Sequence, residues 1–324
     1  MGPLDRLRQL VPIALSAGII ALAATVLLRT LHRIDLADVI ARVRAIDAAQ
    51  LVIGGVLVVL LLSALATYEA IIARFVNGPV TTGRAVLGAL TAAPIGHAVG
   101  WGALSGGAVR YRIYSAAGLR PLDIGKMAVL AAMPYAAALG FMLAASLVLQ
   151  SREAGAILRI APQAATGTGV AIFALHAVYL ALVVFRRQPL VFGRFVLALP
   201  PPSLTAVQYV VGIIELSAGV GVLYVLLPAA IGISFVAFIG IYVLCILAAL
   251  ASSVPAGLGV FESVLLLLLP RVPPDQLLGA MVAYRALLEF APLLLALALF
   301  AAHEFWSRLP AQRERLARAQ EMKP

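Results

Sequence analysis

Two arginines in a glycine-rich stretch are the residues of this chain best suited to bind an anion. The stretch reads HAVGWGALSGGAVRYRIY over residues 97–114, and Arg110 and Arg112 stand near its end. Glycine has no Cβ, so such a stretch can bend and approach a ligand closely. A guanidinium group presents a fork of donors that matches a phosphate, and it does not lose its proton. We therefore predict a phosphate-binding role for both arginines. The residues expected to support them are Gly106, Gly107 and Tyr111.

The alternative for these arginines is that they anchor the chain at a membrane interface. Because Arg110 and Arg112 are two positions apart, they would lie on different faces of a helix. We therefore expect Arg110 to point inward and Arg112 to be structural.

A second glycine-rich stretch carries the opposite charge. It reads SSVPAGLGVFE over residues 252–262, with Gly257 and Gly259 ahead of Glu262. We predict that Glu262 contacts a cationic or polyhydroxy group or carries protons. A plain structural role is the alternative, because a carboxylate near the start of a half-helix complements the helix dipole.

Two further carboxylates lie within apolar segments. Glu215 has about ten apolar residues on either side, where a carboxylate costs a few kcal/mol or more unless it is paired, protonated or hydrated. Glu69 lies near the end of its apolar run, where water is reachable. Intramembrane carboxylates are functional candidates. We therefore predict that both face a headgroup or carry protons, with a structural ion pair or a protonated carboxyl as the alternative.

One arginine and one glutamate are spaced to pair within a single helix. Arg285 and Glu289 are four residues apart, a separation that places side chains next to each other on a helix. Tyr284 and Pro292 beside them indicate a locally opened helix. We expect the two charges to pair and, together with Tyr284, to support the site.

The sequence contains no pattern typical of metal or hydrolytic chemistry. The four histidines have no metal-ligand spacing, and the single cysteine, Cys245, lies in an apolar segment, so disulfide and thiolate chemistry are excluded. No hydrolase triad, zinc site or P-loop is present. We predict no metal, no cofactor and no enzymatic activity for this chain on its own.

The composition is that of a membrane protein. Of the 324 residues, 63% are hydrophobic and 12% are charged, with a mean hydropathy of +1.05, whereas soluble domains carry about 25% charged residues. Apolar runs of about 20 residues recur along the chain, long enough to cross a bilayer as helices. The net charge of +10 fits arginines near anionic headgroups. Nucleic-acid binding is excluded, because no polar stretch is long enough for a basic soluble module.

These runs predict an all-α polytopic protein with about eight transmembrane helices in one integral-membrane domain, residues 1–324. The glycine-rich pieces Ser105–Leu119 and Pro255–Leu269 are too short to cross and are predicted to be re-entrant. Residues 34–48 suit an interfacial helix, and residues 304–324 form a basic tail expected to be a helix on the membrane surface. The predicted spans are Leu10–Leu28, Leu51–Phe75, Ala85–Gly102, Pro121–Leu149, Gly169–Phe185, Ala206–Leu227, Ile231–Leu250 and Gln276–Ala301.

A weak internal repeat relates the two halves, approximately residues 1–150 and 165–303. Gly107 and Gly259 are 152 residues apart (259 − 107 = 152), and the same offset pairs Arg110 with Glu262. It also pairs two Pro-x-Asp helix-start signals, at Pro121 and Pro273. Repeats with interrupted helices at matching positions are typical of transporter binding sites.

Eight spans would leave both termini on one side of the membrane, which we expect to be the cytoplasmic side. The lysines and arginines of alternate connections are nearly balanced, so charge alone does not decide the orientation.

On these motifs the chain resembles the integral-membrane region of lysylphosphatidylglycerol synthases, the flippase part of the multiple peptide resistance factor and its stand-alone relatives. The resemblance rests on GALSGGAVRYRIY with the following Gly118-Leu119, on SSVPAGLGVFE, and on Ala283–Arg285 with its downstream FAP. It covers the chain from Tyr68 and Glu69 onwards.

The resemblance implies a flippase in the bacterial cytoplasmic membrane that moves aminoacylated phosphatidylglycerol or a related lipid between leaflets. The family's charged positions would be Glu69, Arg110, Glu215 and Glu262. The expected partners are lipids, a separately encoded lipid-modifying enzyme and a second copy of the chain. We expect this chain to act without the aminoacyl-transferase domain of the full-length synthases, so its cargo stays open and includes hopanoids and polyprenyl-linked lipids. The alternative function is a membrane subunit or enzyme that presents or modifies a lipid.

Overall fold

The computed structural model describes residues 46–76, 79–99, 102–186, 190–192, 195–197, 199–228, 232–252 and 255–321. The predicted first span, Leu10–Leu28, lies outside these residues, as does nearly all of the predicted interfacial helix. The described chain is helical apart from turns and one hairpin of two three-residue strands. The helices are α1 (Ala48–Phe75), α2 (Thr82–Val99), α3 (Gly102–Ser115), α4 (Pro121–Leu149), α5 (Ser151–Leu158), α6 (Pro162–Phe185), α7 (Pro202–Leu226), α8 (Phe235–Ser252), α9 (Val260–Leu268), α10 (Pro274–Arg285) and α11 (Ala291–Glu321).

The segments that join these helices include three irregular elements. Strands β1 (Leu190–Phe192) and β2 (Phe195–Leu197) form an antiparallel hairpin between α6 and α7. A 3-10 turn, Pro255–Gly257, precedes α9, and a π turn, Ala286–Phe290, joins α10 to α11. The π turn lies beside Tyr284 and Pro292, so the predicted local opening of the last span is confirmed.

Six helices in the described residues are long and apolar enough to cross a membrane. They cover Ala48–Phe75, Pro121–Leu149, Pro162–Phe185, Pro202–Leu226, Phe235–Ser252 and Gln276–Ser307. The chain is therefore an all-α polytopic membrane protein, as its composition predicts. The total of eight spans stays a prediction, because α2 is not among the six and the first predicted span is not described.

The two short helices α3 and α9 occupy the stretches predicted to be re-entrant. They have 14 and 9 residues, which correspond to about 21 Å and 14 Å at 1.5 Å per residue. Both are shorter than the hydrocarbon core of about 30 Å. Their short length agrees with a re-entrant path, which stays a prediction.

Local signals explain where several helices begin. Asp47 caps α1: its side chain accepts a hydrogen bond from Ala49 N, and the side-chain oxygen of Gln50 accepts one from Asp47 N, which together form a capping box. Helix α4 starts at Pro121, as predicted, because proline at the first helical position has no amide hydrogen to leave unsatisfied. Pro273 acts as the N-cap of α10, which therefore begins one residue later than the repeat predicts.

Helix α7 is the centre of the fold. It packs against α1 on one side and α4 on the other. Its contact with α4 is so close that a Cβ on Gly212 would collide with the carbonyl oxygen of Pro134. Two apolar cores flank this contact, one around Leu216 and Phe238 and the other around Tyr68. Glu215 is thereby held at the middle of the protein.

The order of elements is the same on both sides of the hairpin. In the first set, two long helices (α1 and α2) are followed by the short helix α3 and the long helix α4. In the second set, two long helices (α7 and α8) are followed by the short helix α9 and by α10, which continues through the π turn into α11. Helices α5 and α6 lie between the two sets. The division of the chain into repeat halves stays a prediction.

Candidate functional site

A cavity of about 370 Å³ lies where α7 meets the interrupted second half of the protein. Its wall is mostly apolar and is built by side chains from α1, α2, α4, α7, α8, α9, α10, α11 and both irregular turns. Ligand sites in proteins are typically pockets of this kind, with a few polar groups that orient the ligand. The polar side chains in this wall are Glu215, Glu289, Tyr135, Tyr242, Tyr284 and His97.

Glu215 is the carboxyl group of this wall that has no protein partner among the described residues. It projects from the middle of α7, its residue is only 6% exposed, and it lines the cavity. Among the described residues, no hydrogen bond or ion pair to its carboxyl group is found. A buried charge normally has a partner, because desolvation otherwise costs several kcal/mol. The carboxyl group of Glu215 is therefore available to a proton or a ligand.

Tyr135, Tyr242 and Tyr284 contribute three hydroxyl groups to the cavity wall. The hydroxyl groups of Tyr242 and Tyr284 are hydrogen-bonded to each other at 2.6 Å. The ring of Tyr284 stacks on Phe261, with 5.9 Å between the centroids. Gly219 lies one turn after Glu215, where an added Cβ would be 3.4 Å from the Tyr242 hydroxyl. The hydrogen bond and the ring stacking hold the side chains of Tyr242 and Tyr284 in place.

A cluster of one arginine and two glutamates borders the cavity. Arg285 donates from Nε to Oε1 of Glu262 at 2.5 Å and from Nη1 to Oε2 of Glu289 at 2.6 Å. The predicted pairing of Arg285 with Glu289 is confirmed. Glu262 is an additional partner, and it comes from a different helix. Two carboxylates share one guanidinium, so this cluster has one negative charge in excess when both are ionised.

Arg285 also fixes the backbone of the broken segment. Its Nη1 donates to the carbonyl oxygen of Ala256 at 3.2 Å, and Ala256 has a left-handed backbone with φ of 53°. The amide of Gly259 donates to Oε2 of Glu262 at 2.8 Å, and the φ of 83° at Gly259 is one that glycine adopts without strain. Ala256, Gly257 and Glu289 all line the cavity. Arg285 therefore joins two parts of the cavity wall, the Pro255–Gly257 turn and Glu289.

A second cluster lies apart from the cavity, between α1 and α3. Arg110 donates from Nε to Oε1 of Glu69 at 2.8 Å and from Nη2 to Oε2 at 2.9 Å. The hydroxyl of Tyr114 donates to Oε1 of Glu69 at 2.9 Å. Glu69 is 2% exposed and Arg110 8%. In this arrangement, the donors that suit a phosphate are already bound to a carboxylate.

Arg112 is also bound to a carboxylate. Its Nη2 lies 2.8 Å from Oε2 of Glu304 on α11, and both side chains are largely buried. Arg112 therefore ties α3 to the last helix, while Arg110 ties α3 to α1. The two arginines face different helices, in agreement with the expectation from their spacing.

The structure brings together only part of the predicted site. Glu215, Glu289, Tyr284 and Gly257 line the cavity, and Glu262, Arg285 and Gly259 border it through the contacts above. Arg110, Arg112 and Glu69 are not in the wall. Tyr111 is exposed, and Gly106 packs against the Ala92 carbonyl.

Sequence reasoning assigned no role to four residues of these sites, Tyr114, Tyr135, Tyr242 and Glu304. Tyr135 and Tyr242 lie within apolar runs that read as ordinary spans, and Glu304 lies just after one. A polar aromatic at the middle of a span is the signal that could have found the two tyrosines. In the described part of the chain, no group of three His, Cys, Asp or Glu side chains is arranged to hold a metal ion.

Comparison with known proteins gives one similarity over most of the chain and one partial similarity. No family model matches the chain. An uncharacterised protein of Synechocystis sp. is 27% identical over 297 residues, which are 89% of this chain and 90% of that protein. A phosphatidylglycerol lysyltransferase of Staphylococcus epidermidis is 40% identical over 93 residues, which are 28% of this chain and 11% of that enzyme, and a second strain gives the same values. The chain is therefore a multi-pass membrane protein with a partial similarity to a lipid-modifying enzyme.

Proposed function

We propose that this chain is a flippase that moves a phospholipid between bilayer leaflets, with the lipid headgroup passing through the cavity beside Glu215. The observation that carries the proposal is a carboxyl group without a protein partner in the wall of a cavity at the centre of a membrane protein. A polar group in that position is costly, and a headgroup with ammonium or hydroxyl donors would compensate for its burial. Aminoacylated phosphatidylglycerol is the leading candidate for the cargo.

The size and position of the cavity support a headgroup rather than a whole lipid. Its volume of about 370 Å³ is near the lower end of the range for small-molecule sites. Leu250 lines the cavity and is 62% exposed, so the cavity reaches the outer surface of the helix bundle. Acyl chains would then stay in the bilayer while the headgroup is inside the protein.

The roles of the charged residues in this proposal differ. Glu215 and Glu289 contact the headgroup, and Arg285 with Glu262 holds the wall that carries Glu289. Phosphate binding by Arg110 or Arg112 would require the lipid phosphate to displace Glu69 or Glu304. The direct role of these two arginines therefore stays a prediction, and the pairs they form support the positions of α1, α3 and α11.

A second candidate is a membrane subunit or enzyme that presents or modifies a lipid. The partial similarity to a phosphatidylglycerol lysyltransferase favours it, because that enzyme acts on a phospholipid. A separately encoded enzyme would then take the lipid from the cavity. A second copy of this chain is a further possible partner in either case.

The test is leaflet translocation of fluorescent phospholipids in liposomes that contain the purified full-length chain. Zwitterionic, anionic and lysyl-bearing headgroups are compared, and lipid in the outer leaflet is quenched with a membrane-impermeant reductant. We expect headgroup-dependent translocation that falls about tenfold or more in Glu215→Gln, because a charge-assisted hydrogen bond contributes about 1.5–3 kcal/mol.

The matched control is Glu153→Gln. Glu153 lies on α5, outside the cavity wall, and accepts hydrogen bonds from Ser234 with both carboxylate oxygens. Glutamine keeps one acceptor oxygen for the amide of Ser234, and its NH2 group can donate to the Ser234 hydroxyl. This variant should translocate at the native rate. Folded native protein that translocates none of the three lipids would overturn the flippase proposal and favour the second candidate.

A further inference from the structure

We propose that Glu215 holds a proton while the cavity is empty and releases it when the ammonium group of a lipid headgroup binds, so that the protein exchanges a proton for a lipid cation. This inference rests on the proposed function only in taking the cavity as the headgroup site. It adds that the proton on Glu215 controls the binding of a lipid cation at that site. Translocation itself is not needed for it.

The isolation of Glu215 is the first step of the argument. Its carboxyl group has no hydrogen-bond or ion-pair partner among the described residues, although its residue is 6% exposed. An ionised carboxylate without a partner in apolar surroundings is unfavourable by several kcal/mol, and such a group takes up a proton instead. The empty cavity therefore favours the neutral acid.

The groups that face Glu215 across the cavity supply no positive charge that could replace that proton. Helix α1 contributes leucines, and the lining side chains of α8, α10 and α4 that titrate are tyrosines, which are neutral near pH 7. Helix α2 contributes a histidine, and the π turn contributes a glutamate. No lysine or arginine is in the described wall. The titratable groups in the wall besides Glu215 are His97, Tyr135, Tyr242, Tyr284 and Glu289.

The arginine cluster beside the cavity favours the entry of a cation. Arg285 bonds to both Glu262 and Glu289, so its single positive charge is shared between two carboxylates. The excess negative charge lies on the cavity side, because Glu289 lines the cavity. This excess negative charge attracts a cation into the cavity.

The exchange step balances in atoms and charge. The O–H bond of Glu215 breaks, and its proton passes to water at the cavity mouth. The lipid ammonium then donates a hydrogen bond to the carboxylate. One positive charge leaves the Glu215 carboxyl group and the ammonium brings one positive charge beside it, while the lipid phosphate keeps its own negative charge throughout.

The experiment measures proton release on ligand binding, without any membrane to cross. Purified full-length protein in uncharged detergent micelles is titrated with short-chain phosphatidylethanolamine in weakly buffered solution containing a pH indicator. The matched control ligand is the N-acetylated form of the same lipid, which keeps the phosphate and the chains but has no ammonium group. Thermal unfolding confirms that each variant is folded.

We expect the ammonium lipid to release about one proton per molecule bound. Its affinity should fall as the pH is lowered, by up to about tenfold per pH unit when one proton is exchanged. Glu215→Gln should bind more weakly, with neither proton release nor pH dependence. Glu153→Gln, which changes a carboxyl group outside the cavity wall, should retain the native affinity, proton release and pH dependence.

Three results would overturn the inference. They are native protein that fails to bind the ammonium lipid, binding without proton release, and proton release that persists in Glu215→Gln. Failure of the two proposals can be told apart. Proton exchange in micelles without translocation in liposomes would overturn only the flippase proposal, and translocation without proton exchange would overturn only this inference.

Discussion

The two ion clusters of this protein use the same residue types in opposite ways. In the first, Arg110 and Glu69 form a one-to-one pair with two hydrogen bonds, and the Tyr114 hydroxyl donates a third hydrogen bond to the Glu69 carboxylate. In the second, Arg285 is divided between Glu262 and Glu289. The side chains of these glutamates are 19% and 28% exposed, whereas that of Glu69 is 3% exposed.

The two clusters differ in what they leave free for a ligand. In the first cluster the charges are balanced and the hydrogen bonds of the arginine go to Glu69, so a phosphate would have to displace this carboxylate. The second has one carboxylate in excess and borders the cavity, so it can attract a cation. Whether an ion pair inside a membrane holds helices together or binds a ligand can thus be judged only when the net charge of its cluster and the access of a ligand to it are both known.

The largest expected effect comes from breaking the sealed pair. Arg110→Met leaves Glu69 buried without a cation, which should lower the free energy of unfolding by about 3–5 kcal/mol. Unfolding of the purified protein in detergent measures this change. The double variant Glu69→Gln with Arg110→Met should recover much of the loss, since no charge is left unpaired. If the double variant were as unstable as Arg110→Met, the pair would not be structural.

Removal of the arginine of the second cluster should mainly affect function. Arg285→Met frees two carboxylates and the Ala256 carbonyl, and the cavity wall around Gly257 loses its anchor. We expect lipid translocation to fall about tenfold or more, with a stability loss smaller than that of Arg110→Met because both glutamates reach solvent.

The conservative variant Arg285→Lys sharpens this test. Lysine retains the charge but has no planar fork, so it cannot satisfy three acceptors in fixed directions. Stability should be close to native, and translocation should stay reduced. Native translocation in Arg285→Lys would show that charge alone, rather than the geometry of the wall, is required.

The hydroxyl group of Tyr114 in the first cluster and that of Tyr284 in the cavity wall should differ in their contribution to stability. Tyr114→Phe removes a hydrogen bond to a buried carboxylate, which contributes about 1.5–3 kcal/mol. Tyr284→Phe removes a bond between two neutral hydroxyls, which contributes about 0.5–1.5 kcal/mol. The free energies of unfolding of the two variants, measured in detergent and each compared with the native value, give the contribution of each hydroxyl group. A larger loss in Tyr284→Phe would contradict the view that the first cluster is the structural one.

Local patterns in the sequence predicted the helices and one pair, because both depend on short spacings. Apolar runs identify the spans, and the four-residue spacing of Arg285 and Glu289 predicts their contact. The sequence predicts a span that begins at Gly169, whereas in the structure α6 begins at Pro162. Two threonines make that first turn look polar, but their hydroxyls bond to carbonyls four residues earlier and so fit a helix.

Contacts between distant parts of the chain could not be read from the sequence. The pairs Glu69–Arg110 and Glu262–Arg285 join different helices, so they depend on how the helices pack. The sequence indicated that all four residues matter and assigned Arg110 to a phosphate. A charged residue in an apolar chain is a clear signal, but its partner is decided by tertiary structure.

The smallest expected effect concerns the strained residue that Arg285 holds. Ala256 has a left-handed backbone, which costs a residue with a Cβ about 1–2 kcal/mol, and glycine avoids that cost but loses more freedom on folding. Ala256→Gly should therefore raise the free energy of unfolding by up to about 1 kcal/mol. Ala256→Val should lower it, since a β-branched side chain is disfavoured in this conformation. If Ala256→Gly is more stable but translocates more slowly, the strain at Ala256 contributes to function. Equal translocation would show that the hydrogen bond from Arg285 to the Ala256 carbonyl is enough to position the wall.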